Sequence, residues 1–215
     1  MCPERTPEMF DAWSSDYDNY IGIGKLSFPF SGYDNVLDRI VELANPKPGL
    51  KILDIGIGTG NLAQKFLEYE CEIWGIDYSS SMLEEAKKKL PNVKLVLADI
   101  MSEWPSDLRI GFDRIVSAYT LHHLRIEEKV TAVQRMAKEL LRENGRLIIG
   151  DISFLTAEAR VKARANLEKV WDDDEYYWAA DEFKDMMLGK GFTIDYEQIS
   201  EYGGIYIIKY KQNRS

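Results

Sequence analysis

Residues 51–60, K-I-L-D-I-G-I-G-T-G, constrain the fold more than any other stretch. Ile52, Leu53 and Ile55 form a short apolar run that ends in glycines, the pattern of a buried parallel strand entering a tight turn. Gly56, Gly58 and Gly60 tolerate positive φ and carry no Cβ to meet a ligand. A helix opening at Asn61 adds free N–H groups and positive potential at the turn. A glycine-rich turn alone has little specificity, because an ordinary strand–turn–helix can carry the same glycines. The downstream sequence narrows it.

Strands and helices alternate from this point. Strands are predicted over residues 50–55, 71–76, 93–98, 112–117 and 147–152, and helices over 61–70, 79–90 and 126–142. Ser79, Ser80 and Ser81 cap the second of these helices, and Pro91 stops it. Residues 192–199 and 204–210 alternate in polarity across a short Tyr202-Gly203-Gly204 link, which predicts an antiparallel hairpin at the sheet edge. The pattern argues an α/β, Rossmann-like, doubly wound sheet of seven strands. It is mostly parallel with an antiparallel edge strand, and lies between two helical layers.

Ahead of the first strand, Phe10, Trp13, Tyr17 and Tyr20 stand three and four apart, a helical aromatic stripe. A loop is predicted over 22–32, where Gly22, Gly24, Pro29 and Gly32 break regular structure, and a second helix over 33–44. Beyond Asp151, helices are predicted over 155–170 and 180–188, around the acidic aromatic run W-D-D-D-E-Y-Y-W at 171–178.

Length and charge exclude several partners. A chain of 215 residues suits one large domain. Its net charge of −9 opposes binding to a phosphate backbone, so no nucleic acid is expected. No apolar run approaches the roughly 18 residues of a membrane span, so no membrane partner is expected. The first residues lack a secretory pattern. Cys2 and Cys71 stand far apart, with neither metal-ligand nor disulfide spacing, which fits a reducing cytoplasm. No metal is expected.

Four consecutive strands end in polar or glycine-rich residues at one rim: Gly56, Asp77, Asp99, and Ser117 to Tyr119. In open α/β sheets, ligands bind beyond the carboxyl ends of the strands where strand order reverses. Asp77 is placed to accept both hydroxyls of a ribose through charge-assisted bonds of about 1.5–3 kcal/mol each. Asp99 can accept from an adenine amino group while the Ile100 amide donates to the ring, with Leu97 and Ile100 on either side of the base. Together these read an adenosine. The dinucleotide pattern G-x-G-x-x-G fails, because position 61 is Asn and the third glycine comes one residue early. Asp54, just before the turn, opposes a pyrophosphate but suits an ammonium and a sulfonium. S-adenosyl-L-methionine carries both.

The stretches L-D-I-G-I-G-T-G, G-I-D-Y-S, A-D-I, S-A-Y-T-L-H-H-L and L-L-R-E-N-G-R-L-I-I-G-D together resemble a class I S-adenosylmethionine-dependent methyltransferase, from about residue 10 to residue 210. The opening F-D-A-W-S-S-D-Y-D resembles the N-terminal helix of small bacterial members of that family. The resemblance implies that Gly56, Gly58 and Gly60 form the turn at the methionine end of the cofactor, with Asp54 holding its ammonium. It implies Asp77 at the ribose, Asp99 and Ile100 at the adenine, Tyr78 among the cofactor contacts, and the Ser117 and Ala118 carbonyls toward the ammonium. Tyr17 matches a tyrosine that leans over the cofactor in similar enzymes; plain packing is the alternative. In domain terms, residues 1–49 are expected to form a helical cap and 50–215 the methyltransferase domain, with 154–180 as a lid. S-adenosyl-L-homocysteine would be the product.

His122 and His123, the only histidines, follow the fourth strand. A histidine there can take a proton from a nucleophile near neutral pH. Neighbouring helical residues point about 100° apart, so at most one is expected to face the methyl group, and the other to fix the loop. Methyl transfer from a sulfonium needs little beyond placement and desolvation, so a general base is not required. The sequence lacks N-P-P-Y or D-P-P-Y, a Pro-Cys nucleophile and a clear acidic triad. A small-molecule acceptor remains, entering under the lid, where Trp171, Tyr176, Tyr177 and Trp178 either line a pocket or pack. A cofactor-binding protein without catalysis is the alternative; a nicotinamide oxidoreductase is disfavoured by Asn61 and Asp54. Either a monomer or a homodimer is compatible.

Overall fold

The apolar run after Lys51 is buried on both sides: Ile52 and Leu53 are fully enclosed and Ile55 nearly so. This strand, β1 (Lys51–Ile55), runs through the middle of the sheet, parallel to β2 (Glu72–Asp77) on one side and to β4 (Phe112–Ala118) on the other. The computed structural model describes residue 11 and residues 17–211. Phe10, Trp13, Cys2 and most of the F-D-A-W-S-S-D-Y-D opening lie outside the described residues.

Helices α1 (Tyr17–Gly24) and α2 (Tyr33–Ala44) precede β1. A short helix α3 (Asn61–Gln64) follows the glycine turn; α4 (Ser80–Lys89) connects β2 to β3 (Lys94–Leu97). Helix α5 (Ile126–Arg135) leads from β4 to β5 (Leu141–Phe154). Then come α6 (Ala157–Asn166), β6 (Trp178–Ala179), α7 (Ala180–Met187), β7 (Phe192–Gln198) and β8 (Gly203–Tyr210).

The strand order is β3-β2-β1-β4-β5-β8-β7, with the two-residue β6 pairing the end of β5. All pairs are parallel except those of β8, which is antiparallel to both β5 and β7. This is the α/β sheet that the alternation predicts, with the expected hairpin at one edge. Strand order reverses between β1 and β4, so a crevice opens at their carboxyl ends.

Each face of the sheet has its own core. Helix α2 presents Tyr33, Val36, Leu37, Ile40, Val41 and Ala44 at three- and four-residue spacing, packed with Ile52, Val116, Ile148 and Ile152. Burying an aliphatic side chain of this size contributes about 1.5–3 kcal/mol. Although it falls within the expected cap, α2 is thus part of the layered core. Arg39 fastens it to the edge: Nε and Nη2 donate to Glu197 of β7 at 2.8 and 3.0 Å. On the other face, α5 and α7 cover Leu53, Ile115, Leu147 and Ile149.

Local signals misplaced some boundaries. The first helix continues through Gly22 to Gly24, three residues into the predicted loop. The helix after the glycine turn keeps only four residues before a 3-10 turn at Leu67–Tyr69. The helix predicted to reach 142 changes to π-helix at Met136–Leu140, and the chain is already extended at Leu141. Asn144, at φ 62°, sits inside a bulge of β5 rather than in a free turn, because the ladder with β4 resumes at Arg146. No helix among the described residues is long and apolar enough to cross a membrane.

Candidate active site

The crevice holds a cavity of about 350 Å³. Its floor is the turn after β1. Gly56 and Gly58 have φ of 67° and 53°, a region that favours glycine. They differ in surroundings. A Cβ at Gly56 would come within 2.8 Å of Thr120 Cβ, whereas one at Gly58 would meet no atom within 4 Å. Gly58 therefore presents bare backbone to the cavity. Gly60 does not line it; a Cβ there would press on Leu90 Cδ1 at 2.5 Å, so this glycine serves helix packing.

Asp77 supports the turn from the end of β2. Its Oδ2 accepts from Gly58 N at 2.9 Å and its Oδ1 from Ser79 N at 3.0 Å. Burial raises its pKa, an effect the backbone N–H groups partly offset. Asp54 is more extreme. Burial holds its carboxyl well above the usual range, the nearby Asp77 charge adds to this, and a backbone hydrogen bond from Ala63 opposes it. Its Oδ2 is buried without a hydrogen-bond partner. A buried oxygen in that state is costly unless a ligand pairs it.

Tyr78, Asp99 and Ile100 all line the cavity. Asp99 is exposed, and its oxygens accept from Met101 N at 2.8 Å and Ser102 Oγ at 2.9 Å. Leu97 is outside the lining and 59% exposed, because β3 is an edge strand whose pleat turns this side chain outward. Ala118 lines the cavity; Ser117 does not, and its Oγ donates to Ile55 O at 2.9 Å.

The roof is aromatic. Tyr17 lines the cavity with Tyr33, Phe30 and Tyr119. The Tyr119 ring stacks on Tyr33 at 4.9 Å, and its hydroxyl is buried without a partner. Asp18 pins α1 to the turn: its Oδ1 accepts from Thr59 Oγ1 at 2.7 Å and Asn61 Nδ2 at 3.0 Å, and its Oδ2 pairs with Lys89. Asp11 accepts from Ser79 Oγ at 2.6 Å.

The far end carries the histidines, both of which line the cavity. They sit on the 3-10 turn Leu121–His123. His122 is buried, with Nδ1 2.6 Å from Asp151 Oδ1 and its backbone N donating to Asp151 Oδ2 at 2.9 Å. Trp178 Nε1 and Ile152 N also donate to Asp151, at 3.0 and 2.8 Å. Burial works against the charged imidazole, but Asp151 and Glu175 more than offset it and push the His122 pKa up to about 10. His122 thus ties the 3-10 turn to β5 through Asp151. Of the four lid aromatics, Tyr177 lines the cavity; Trp178 is core, and Trp171 packs on Phe28 and Tyr177.

Asp18, Thr120, Asp151 and Glu175 stand in stretches that the sequence singles out, but it gives none of them a role, because a deciding partner of each lies far off in the chain.

Comparison with known proteins agrees with this geometry. A family model for a methyltransferase domain matches residues 52–145. An uncharacterized methyltransferase of Anoxybacillus flavithermus is 31% identical over 205 residues, covering 91% of this chain and 93% of its own. One from Oceanobacillus iheyensis is 31% identical, covering 95% and 96%. Among solved structures, the DhpI-SAM-HEP complex superposes with a TM-score of 0.72 at 15% identity, covering 94% of each chain. Magnesium protoporphyrin IX methyltransferase from Synechocystis with bound SAH gives 0.71 at 18% identity, covering 94% and 97%. The chain belongs to the class I S-adenosylmethionine-dependent methyltransferases.

Proposed function

We propose that this methyltransferase binds S-adenosylmethionine along the β1–β4 crevice and methylates a small molecule admitted between α1 and the segment 167–177. The observation that carries the reading is Asp54 Oδ2, buried, unpaired and at the cavity wall. A ligand ammonium would complete it. The open space over Gly58 and the cradle of Asp77 fit the same ligand. When bound, the cofactor supplies an electrophilic methyl group on a sulfonium.

The chain's own residues do the rest. Asp54 and the Ala118 carbonyl receive the ammonium, and Gly56 and Gly58 leave room for the methionine end. Asp77 keeps lone pairs for the ribose hydroxyls. Tyr78 and Ile100 flank the adenine, with Asp99 at its amino edge. Tyr17, Tyr33 and Tyr119 place aromatic faces where a sulfonium would sit, each worth about 0.5–2 kcal/mol to a cation. They also exclude water from the transfer path. The partly aromatic cavity and the acidic net charge of −9 favour a small acceptor over nucleic acid. A reducing cytoplasm and a monomer or homodimer complete the proposal, with Cys71 a free thiol.

Calorimetry with S-adenosylhomocysteine and NAD, followed by a metabolite screen for methyl acceptance, tests the reading. Tight binding of the former and turnover of a metabolite are expected. Preference for NAD would overturn the site. Binding without turnover of any acceptor would favour a cofactor-binding protein without catalysis.

A further inference from the structure

Glu175 stands on the loop between α6 and β6, opposite the histidine turn. Its Oε1 lies 3.5 Å from His122 Nε2 and 3.9 Å from His123 Nδ1. All three donor atoms lie within 4.8 Å of one another. A charge-assisted N–H···O bond closes to about 2.7–2.9 Å, so the His122–Glu175 bond is a long one, and Glu175 also bonds Tyr177. By contrast, two ligands on a tetrahedral zinc, at bonds of about 2.0–2.1 Å, stand about 3.4 Å apart. The two Glu175 separations, 3.5 and 3.9 Å, approach that edge.

We infer that His122 Nε2, His123 Nδ1 and a Glu175 carboxylate oxygen form a site for one divalent transition-metal ion, with an open coordination position facing the cavity. Three protein ligands and one open position are the pattern of a reactive rather than a purely structural zinc site. Two imidazoles and one carboxylate favour zinc and its first-row neighbours over magnesium or calcium.

A second arrangement points the same way. Metal-bound imidazoles almost always give their other ring nitrogen to a carboxylate or carbonyl, which fixes the tautomer and the ring. Asp151 takes that place at His122 Nδ1, and is itself held by Trp178 Nε1 and the amides of His122 and Ile152. His122 Nε2 is thereby aimed at Glu175. The two ligand segments are also tied by backbone, since Tyr176 N donates to His122 O at 2.7 Å. The open position would take an oxygen or sulfur of the methyl acceptor, so that hydroxyl, thiol and oxyanion acceptors are the class that fits. This last step rests on the methyltransferase reading of the cavity; the metal site itself does not.

The test uses the full chain, stripped with a chelator and desalted. It is titrated with Zn²⁺ by calorimetry and with Co²⁺ by visible absorption. Saturable binding of one ion per chain is expected, with Co²⁺ ligand-field bands. His123→Ala and Glu175→Gln, both at partly exposed side chains, should each weaken Zn²⁺ binding by more than the about 10–100-fold that an outer-shell change such as Asp151→Asn brings. No saturable binding by the parent, or parental Zn²⁺ affinity in either variant, overturns the site. Calorimetry with S-adenosylhomocysteine on the same metal-free samples reports folding and separates the two readings. Intact nucleoside binding without metal binding removes this inference alone. Metal binding without nucleoside binding removes the cofactor reading and leaves the metal site standing.

Discussion

Gly58→Ala isolates the use of the glycine turn from its folding. The residue sits at φ 53°, where an L-amino acid costs about 1–2 kcal/mol. For a domain of this size, about 2–4 °C of melting temperature accompanies each kcal/mol, so a fall of about 2–8 °C is expected. The added methyl meets no protein atom within 4 Å, so no packing penalty joins the backbone cost. It does project into the cavity, where a bound cofactor would need the same space. A loss of at least about tenfold in S-adenosylhomocysteine affinity follows, or more than about 1.4 kcal/mol. Gly56→Ala is the contrast. Its Cβ would overlap Thr120, adding overpacking of about 1–3 kcal/mol to a similar backbone cost. That variant should melt well below Gly58→Ala. Differential scanning fluorimetry and calorimetry read both quantities. A Gly58→Ala protein with the parental dissociation constant would refute the placement of the cofactor over this turn.

Three further outcomes are expected. Asp54 has a raised pKa in the fold, so its contribution to stability is present at low pH and lost as pH rises through that raised value. A ligand ammonium needs the ionised form; affinity for S-adenosylhomocysteine should therefore fall with acidification below that pKa, by up to about tenfold per pH unit. Asp54→Asn should flatten most of this slope in calorimetry across the acid range, and an unchanged slope would exclude Asp54 as the ammonium partner. Asp18→Ala removes the contacts to Thr59, Asn61 and Lys89, worth about 1–2 kcal/mol together at a half-exposed side chain, and should weaken nucleoside binding about 5–30-fold. Parental affinity there would separate α1 from the site. Trp178→Phe takes one donor from the buried Asp151 carboxylate and should cost about 1.5–3 kcal/mol in urea denaturation; a neutral result would mean that another donor replaces it.

The legible parts of this molecule are those whose cause is local. β1 and its turn declare themselves because burial on both faces demands an apolar run and a tight reversal demands glycine. Asp77 and Asp99 are legible because each ends a strand at the same rim. Tertiary pairing governs the rest. Asn144-Gly145 has the chemistry of a turn, yet the ladder with β4 stretches it into a bulge of β5. Leu97 alternates correctly, but an edge strand has no obligation to bury it. Gly60 belongs to the motif by spacing and to Leu90 by contact. His122 is visible as a histidine after a strand; its function depends on Asp151 and Glu175, and no periodicity connects the three.

The position of β8 bears on how the chain is made. It follows β7 in sequence and is the last strand among the described residues, yet it lies between β5 and β7 and hydrogen-bonds both. Until residues 203–210 have left the ribosome, β5 keeps a bare apolar margin and β7 has nothing to dock on. Such unpaired margins invite pairing with other chains. Chains interrupted before residue 203 should therefore be recovered as aggregates rather than as partly working enzyme.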